Sequence, residues 1–111
     1  MLYTEILKDP KVFSRLYKKG ERTGGAGLTA YCLPNKRPYN RLGITAGKKV
    51  GGAVQRNRAK RIIRAAYRKN ELILPIGYDI VIVARPEING KKSDGLDRFY
   101  QRLAAQIKNS V

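Results

Sequence analysis

The chain has 111 residues, of which 24 are Lys or Arg and 8 are Asp or Glu, a formal charge of +16. Its hydrophobic fraction of 42% is ordinary for a folded protein, so a single domain spanning 1–111 with one modest core is expected, and disorder is not. There is no histidine and one cysteine, Cys32, which excludes an intramolecular disulfide, a zinc cluster and the commonest general base.

Asp9-Pro10 followed by KVFSRLYKKG predicts a short first helix. Asp9 suits the N-cap, Pro10 the first helical position and Gly20 the stop. Phe13, Leu16 and Tyr17 share a face, and Lys18 and Lys19 favour the negative end of the helix dipole. GERTGGAG at 20–27 reads as a flexible basic loop. LTAYCL at 28–33 predicts a strand ended by Pro34-Asn35, NKRPYN a turn, and RLGITA at 41–46 a returning strand, so the two strands are expected to pair as a hairpin. GKKVGGAV at 47–54 is a glycine-rich, basic passage into a second helix over 55–68.

In that helix Ala59, Ile62, Ile63, Ala66 and Tyr67 recur at the spacing of a buried stripe. Asn57, Arg61, Arg64 and Arg68 project from the opposite side, with Lys60 on the flank. Residues 72–77 leave the helix, with Pro75 as breaker. YDIVIVAR at 78–85 is a near-continuous β-branched run and predicts a central strand covered on both faces. PEINGKKSDG reads as a loop. Leu96, Phe99, Tyr100, Leu103 and Ile107 mark a final amphipathic helix, with Ser93, Asp94 and Asp97 at its N-terminal end. The order helix, strand, strand, helix, strand, helix predicts an α+β fold, a single-domain α/β sandwich in which the second and third strands run parallel.

The segment QRNRAKRIIRAAYR at 55–68 carries six cations and no acid. Charge runs are commonly just solvated faces. This one lacks the interleaved Glu that would pair at i,i+4, favours Arg over Lys and holds Asn57 among its charges. Arg offers a planar fork to phosphate oxygens and stacks on bases, and Asn supplies a donor and an acceptor for a base edge or a ribose hydroxyl. Before it, Gly51 and Gly52 let backbone approach a ligand, and Lys48 and Lys49 add charge at the helix N-terminus. The passage lacks GxxxxGK[ST] and is therefore no nucleotide-binding P-loop. Phe13 and Tyr17 lie on one helix face, and Tyr31 lies on the neighbouring strand. Any one of them could be core packing, but aromatics beside cations also form the platform for single-stranded nucleic acid.

KKVGGAVQRNRAKRIIR resembles the signature of the bacterial ribonuclease P protein subunit: a Lys-Lys loop, then Gly and Ala-Val, Arg-Asn-Arg, Lys-Arg and Arg. The resemblance extends to FSRLYKKG in the first helix, AYCL and RLGITAGKK in the strands, and YDIVIVARP in the last strand. It implies a left-handed β-α-β crossover around the basic helix, against the usual right-handed rule. It also implies a protein without chemistry of its own. A catalytic RNA with bound Mg2+ would remove the 5′ leader of precursor tRNA, while the protein binds both that RNA and the leader. The resemblance implies a cytoplasmic protein, monomeric within the ribonucleoprotein, that binds no cofactor or metal itself and has no catalytic residue. Carried onto this chain, Lys48, Lys49, Arg56, Asn57, Arg58, Lys60, Arg61, Arg64 and Arg68 would face RNA. Phe13, Tyr17, Tyr31, Lys48 and Arg85 would line the leader groove.

A ribosomal protein or general RNA chaperone of similar basic α+β fold is the competing reading, and composition cannot separate the two. Membrane readings fare worse. The longest apolar run, IVIVA at 80–84, is far short of the ~20 residues that span a bilayer. The N-terminal MLYTEILKDP lacks the layout of a secretory signal, and the narrow apolar stripe of 55–68 is needed for a core.

Overall fold

The computed structural model describes residues 1–109. Five strands, β1 (Thr4–Ile6), β2 (Glu21–Gly25), β3 (Leu28–Pro34), β4 (Asn40–Ala46) and β5 (Tyr78–Ala84), form one sheet in the order β1-β4-β5-β3-β2. Three helices pack on it: α1 (Pro10–Lys19), α2 (Ala53–Asn70) and α3 (Asp97–Asn109).

Local signals set the helix ends. The Asp9 carboxylate accepts the Lys11 N–H at 2.9 Å, Pro10 opens α1, and the Gly20 N–H closes it on the Leu16 carbonyl at 2.8 Å. A Cβ at Gly20 would stand 2.5 Å from that carbonyl, so glycine is required for the close approach. α3 begins at Asp97 after a short 3-10 turn over Ser93–Leu96.

The large core lies on one face of the sheet. Leu28, Ala30 and Cys32 of β3, Leu42 of β4 and Ile80, Ile82 and Ala84 of β5 pack under Ala59, Ile63, Ala66 and Tyr67 of α2 and Phe99, Tyr100, Leu103 and Ile107 of α3. The Tyr100 hydroxyl donates to the Ile63 carbonyl at 2.9 Å, which satisfies a buried polar group between the helices. On the opposite face a small cluster, Leu7, Val12, Leu16 and Val81, seats α1.

β5 is central, and β4 and β5 are adjacent and parallel with α2 as the crossover between them, as the strand–helix–strand pattern predicts. The expected hairpin is not present. β5 inserts between β3 and β4, pairing antiparallel with the former and parallel with the latter, and so removes the edge on which they would have met. The hairpin reading fails because turn residues at 34–39 bring the chain back without placing the strands side by side. Nor is 20–27 a flexible loop. Glu21–Gly25 pairs with Leu28–Cys32 across a tight turn in which Ala26 and Gly27 have φ of 53° and 79°. This is the hairpin that exists. A short strand that sequence reading missed, β1, pairs parallel with the start of β4. It is held from outside itself. The buried Glu71 carboxylate accepts the N–H groups of Leu2 and Tyr3 at 2.7 and 3.0 Å and the Thr4 hydroxyl.

Candidate nucleic-acid interface

The strand register places side chains in rows across the α1 face. Gly43, Val81, Tyr31 and Arg22 stand opposite one another on β4, β5, β3 and β2. α1 lies along this row. The Phe13 ring sits where a Cβ on Gly43 would come within 2.4 Å of it, and the Tyr17 ring meets Tyr31 edge-to-face with centroids 5.3 Å apart. Tyr17 is 45% exposed, Tyr31 half-buried. The next row is Thr45, Val83, Thr29 and Gly24. Its side chains are small, and Val83 belongs to neither core cluster. This row forms a floor in which Thr45 and Val83 are half-buried and Thr29 is buried.

Cations border that floor. Lys48 and Lys49, in a 3-10 turn after β4, share a shallow cleft with Val83 and Arg85. Arg85 is oriented by its own Nε, which donates to Thr29 Oγ1 at 2.8 Å and leaves the exposed guanidinium end free. Lys48 and Arg85 thus border a cleft on the same side of the sheet as Tyr31 and Tyr17. The Phe13 ring lies over Gly43 of β4, in the same row as Tyr31, and packs with Tyr31 against the small cluster.

The second candidate surface is α2. Asn57, Arg61 and Arg68 are exposed on its outer side and Arg64 half-exposed beside them, while Arg56 and Lys60 are half-buried on the flank nearer β4. None of these makes an ion pair among the described residues. No side chain caps the N-terminus of α2, whose Gly52 N-cap follows Gly51 at φ 140°. Arg58 makes a contact of its own within the protein. It points to the flank facing the 86–92 loop, donates to the Lys91 carbonyl at 2.6 Å, and its second terminal nitrogen is buried without a hydrogen-bond partner. This bond holds that loop against α2, together with the Asn89 side chain bonding the Val50 carbonyl at 2.7 Å.

Acidic groups are engaged elsewhere. Burial would raise the Asp79 carboxyl, but hydrogen bonds from Arg41 and Asn35 and the Arg41 charge hold it below its ordinary value. Burial likewise opposes ionisation of Glu71, and its three hydrogen bonds to the N-terminal segment outweigh that and lower it. Asp97 is lowered by Asn70 and Lys69. Among the described residues no three His, Cys, Asp or Glu side chains stand close enough to hold a metal ion. A cavity of about 360 Å³ lies away from both basic surfaces, among Cys32, Leu33, Pro34, Tyr78 and Ile107. Burial and the neighbouring Glu21 push the Cys32 thiol up to about 11, so it is not a nucleophile at neutral pH.

With this geometry in place, comparison with known proteins decides the family. The sequence matches the profile of the family described as Ribonuclease P over residues 1–108. The chain belongs to that family. It is 39% identical over 110 residues to the ribonuclease P protein component of Clostridioides difficile, covering 97% of this chain and 96% of the relative. It is 41% identical over 101 residues to that of Lachnoclostridium phytofermentans, covering 91% and 87%. The fold matches the solved ribonuclease P protein of Thermotoga maritima with a TM-score of 0.79 at 26% identity, over 92% of this chain and 96% of that one. It matches the Staphylococcus aureus ribonuclease P protein with a TM-score of 0.76 at 29% identity, over 93% and 94%.

As a ribonuclease P family protein the chain shows no described helix long and apolar enough to cross a membrane. Sequence reading did not single out Arg22, Thr45 and Val83, which stand on the α1 face of the sheet. Arg22 stands beside Tyr31 on the same face, and the other two form the floor. The alternation of the strands encodes their side, but only the pairing β4-β5-β3-β2 brings them into rows.

Proposed function

We propose that the protein is the non-catalytic subunit of a ribonucleoprotein endoribonuclease, bacterial ribonuclease P, acting in the cytoplasm. On this reading the outer face of α2 docks on the catalytic RNA, and the α1 groove holds the 5′ leader of precursor tRNA. The observation that carries it is the row of unpartnered cations on α2, Arg61, Arg64 and Arg68 with Asn57 among them, in a chain of +16. Such a row repels itself unless a polyanion sits against it. The groove suits a single strand: two rings for stacking, a floor of small side chains and cations along its border. Phe13 supports this indirectly by seating α1 over Gly43. Arg58 would act chiefly by holding the 86–92 loop, with RNA contact secondary.

Hydrolysis of the phosphodiester would fall to the catalytic RNA and the Mg2+ it binds. Asp79, Glu71, Asp94 and Asp97 fit that division, being tied to Arg41, the N-terminal segment and Lys69 within the protein.

Reconstitution tests the reading. With a ribonuclease P RNA at low Mg2+, the protein should restore cleavage of precursor tRNA, whereas nuclease-free protein alone should cleave nothing. Affinity for that RNA should fall steeply with salt, with a log–log slope of about 0.7–0.9 per phosphate contact. Arg61→Ala or Arg64→Ala should make it shallower by about one. A ribosomal or chaperone role would instead leave cleavage unaffected by the protein.

A further inference from the structure

β1 flanks only the first half of β4. Thr4, Glu5 and Ile6 stand opposite Asn40, Arg41 and Leu42, and the last bond from that side runs from the Leu7 N–H to the Leu42 carbonyl at 2.8 Å. Backbone groups of a strand alternate between its two edges, so the N–H and C=O of Ile44 face the same edge as those of Leu42, past the end of β1. There the surface opens into a cleft of about 160 Å³. Ile6, Leu7, Phe13 and Ile44 form its apolar side, and Lys60 and Arg64 reach it from α2. Neither cation has an ion-pair partner among the described residues.

Three kinds of group thus meet: apolar walls with an aromatic ring, a free backbone donor and acceptor, and two unpaired cations. A simple anion would not use the walls, and an apolar molecule would not use the cations. The cleft is also smaller than the roughly 300–1,000 Å³ of sites for drug-sized ligands. A strand from a second copy could pair with the free edge, but each copy carries +16, and the two cations would meet like charge. An unpaired nucleotide uses all three features. Its base enters the walls, its edge meets the Ile44 backbone pair, and its phosphate meets Lys60 and Arg64.

We propose that this cleft receives one unpaired nucleotide of the RNA against which α2 docks, separate from the leader groove on the other side of α1. The assignment rests on the RNA-docking reading of α2 and adds a position at which that RNA must be single-stranded.

Two RNA stem-loops with the same stem and loop test it, one with an uninterrupted stem and one with a single bulged 2-aminopurine inserted in that stem. The full-length protein should bind the bulged RNA at least about fivefold more tightly, with a change in 2-aminopurine fluorescence on binding. Ile6→Trp fills the cleft from a position that is 62% exposed, so the fold should tolerate it. This variant should lose the preference and the fluorescence change while binding the paired stem-loop with wild-type affinity and salt slope. Equal wild-type affinity for the two RNAs, or a preference that survives Ile6→Trp, would overturn the cleft assignment alone. Failure to bind either RNA would overturn the docking reading of α2 as well. Self-association abolished by Ile6→Trp would give the edge to a second copy and equally overturn the proposal.

Discussion

The two faces of the sheet are built from the same strands and differ in how they are covered. Toward α2 and α3, β5 presents Ile80, Ile82 and Ala84, all buried in the large core. Toward α1 it presents Asp79, Val81, Val83 and then Arg85, of which only Val81 belongs to the small hydrophobic cluster. The first face is packed for stability. The second is half-covered: α1 lies over one row, and the row beyond it is left open and lined with small residues. A chain of this size needs one full core, and the other face can then be kept partly open for binding.

Core substitution should divide the faces most sharply. Phe99→Ala, in the large core, should cost about 3–5 kcal/mol in urea or thermal unfolding. Val83→Ala, on the groove floor, should cost about 1 kcal/mol, since its side chain is only half-buried. Similar losses at the two positions would show that the groove floor is core after all.

The next effect comes from the one strong ion pair of the open face. Asp79 is 2% exposed and takes two hydrogen bonds from Arg41, each 2.7 Å. Asp79→Ala leaves the Arg41 charge without its partner and should destabilise by about 3 kcal/mol. Because the Asp79 carboxyl is lowered in the folded protein, its contribution is fully present above the unfolded carboxylate value near pH 4 and is lost as pH falls through the lower folded value. Glu71 and Asp97 are lowered as well, so stability should decline below about pH 4. The decline should be shallower in Asp79→Ala, as acid titrations of unfolding free energy would reveal.

How much of this was legible in the sequence follows the range of each interaction. The ends of α1, the buried stripe of α2 and the outward row Asn57, Arg61, Arg64 and Arg68 depend on neighbours within a few positions, and they stand where spacing puts them. The false hairpin depended on which strands meet, and β5 arrives from more than thirty positions downstream to separate β3 from β4. Glycine-rich β2 lacks strand propensity and is held by β3 and by Arg102, which donates to the Gly24 carbonyl. β1 depends on Glu71, at the far end of α2. The same limit applies to the site. Tyr17 and Tyr31 meet edge-to-face, as their shared side of the sheet allows, and Lys48 and Arg85 share a cleft with Val83. Phe13 shares the helix face of Tyr17 and packs over Gly43, and Arg58, within the basic motif, donates to the Lys91 carbonyl. Both contacts arise from tertiary neighbours that no local pattern specifies.

The central claim is that leader and catalytic RNA are held on separate surfaces, the α1 groove and the outer face of α2. It is tested most directly by one binding comparison, with leader-bearing and leaderless tRNA presented to holoenzymes made from wild-type, Tyr17→Leu and Arg61→Ala protein. Tyr17→Leu keeps apolar volume but loses the ring face, at a position exposed enough to leave stability nearly unchanged. It should assemble with the catalytic RNA normally, weaken binding of the leader-bearing substrate by about 1–3 kcal/mol, and leave the leaderless RNA as in wild type. Arg61→Ala should instead weaken assembly with the catalytic RNA and, once assembled, treat the two substrates as wild type does. Equal losses for both substrates in Tyr17→Leu, or a leader-specific loss in Arg61→Ala, would contradict the separation.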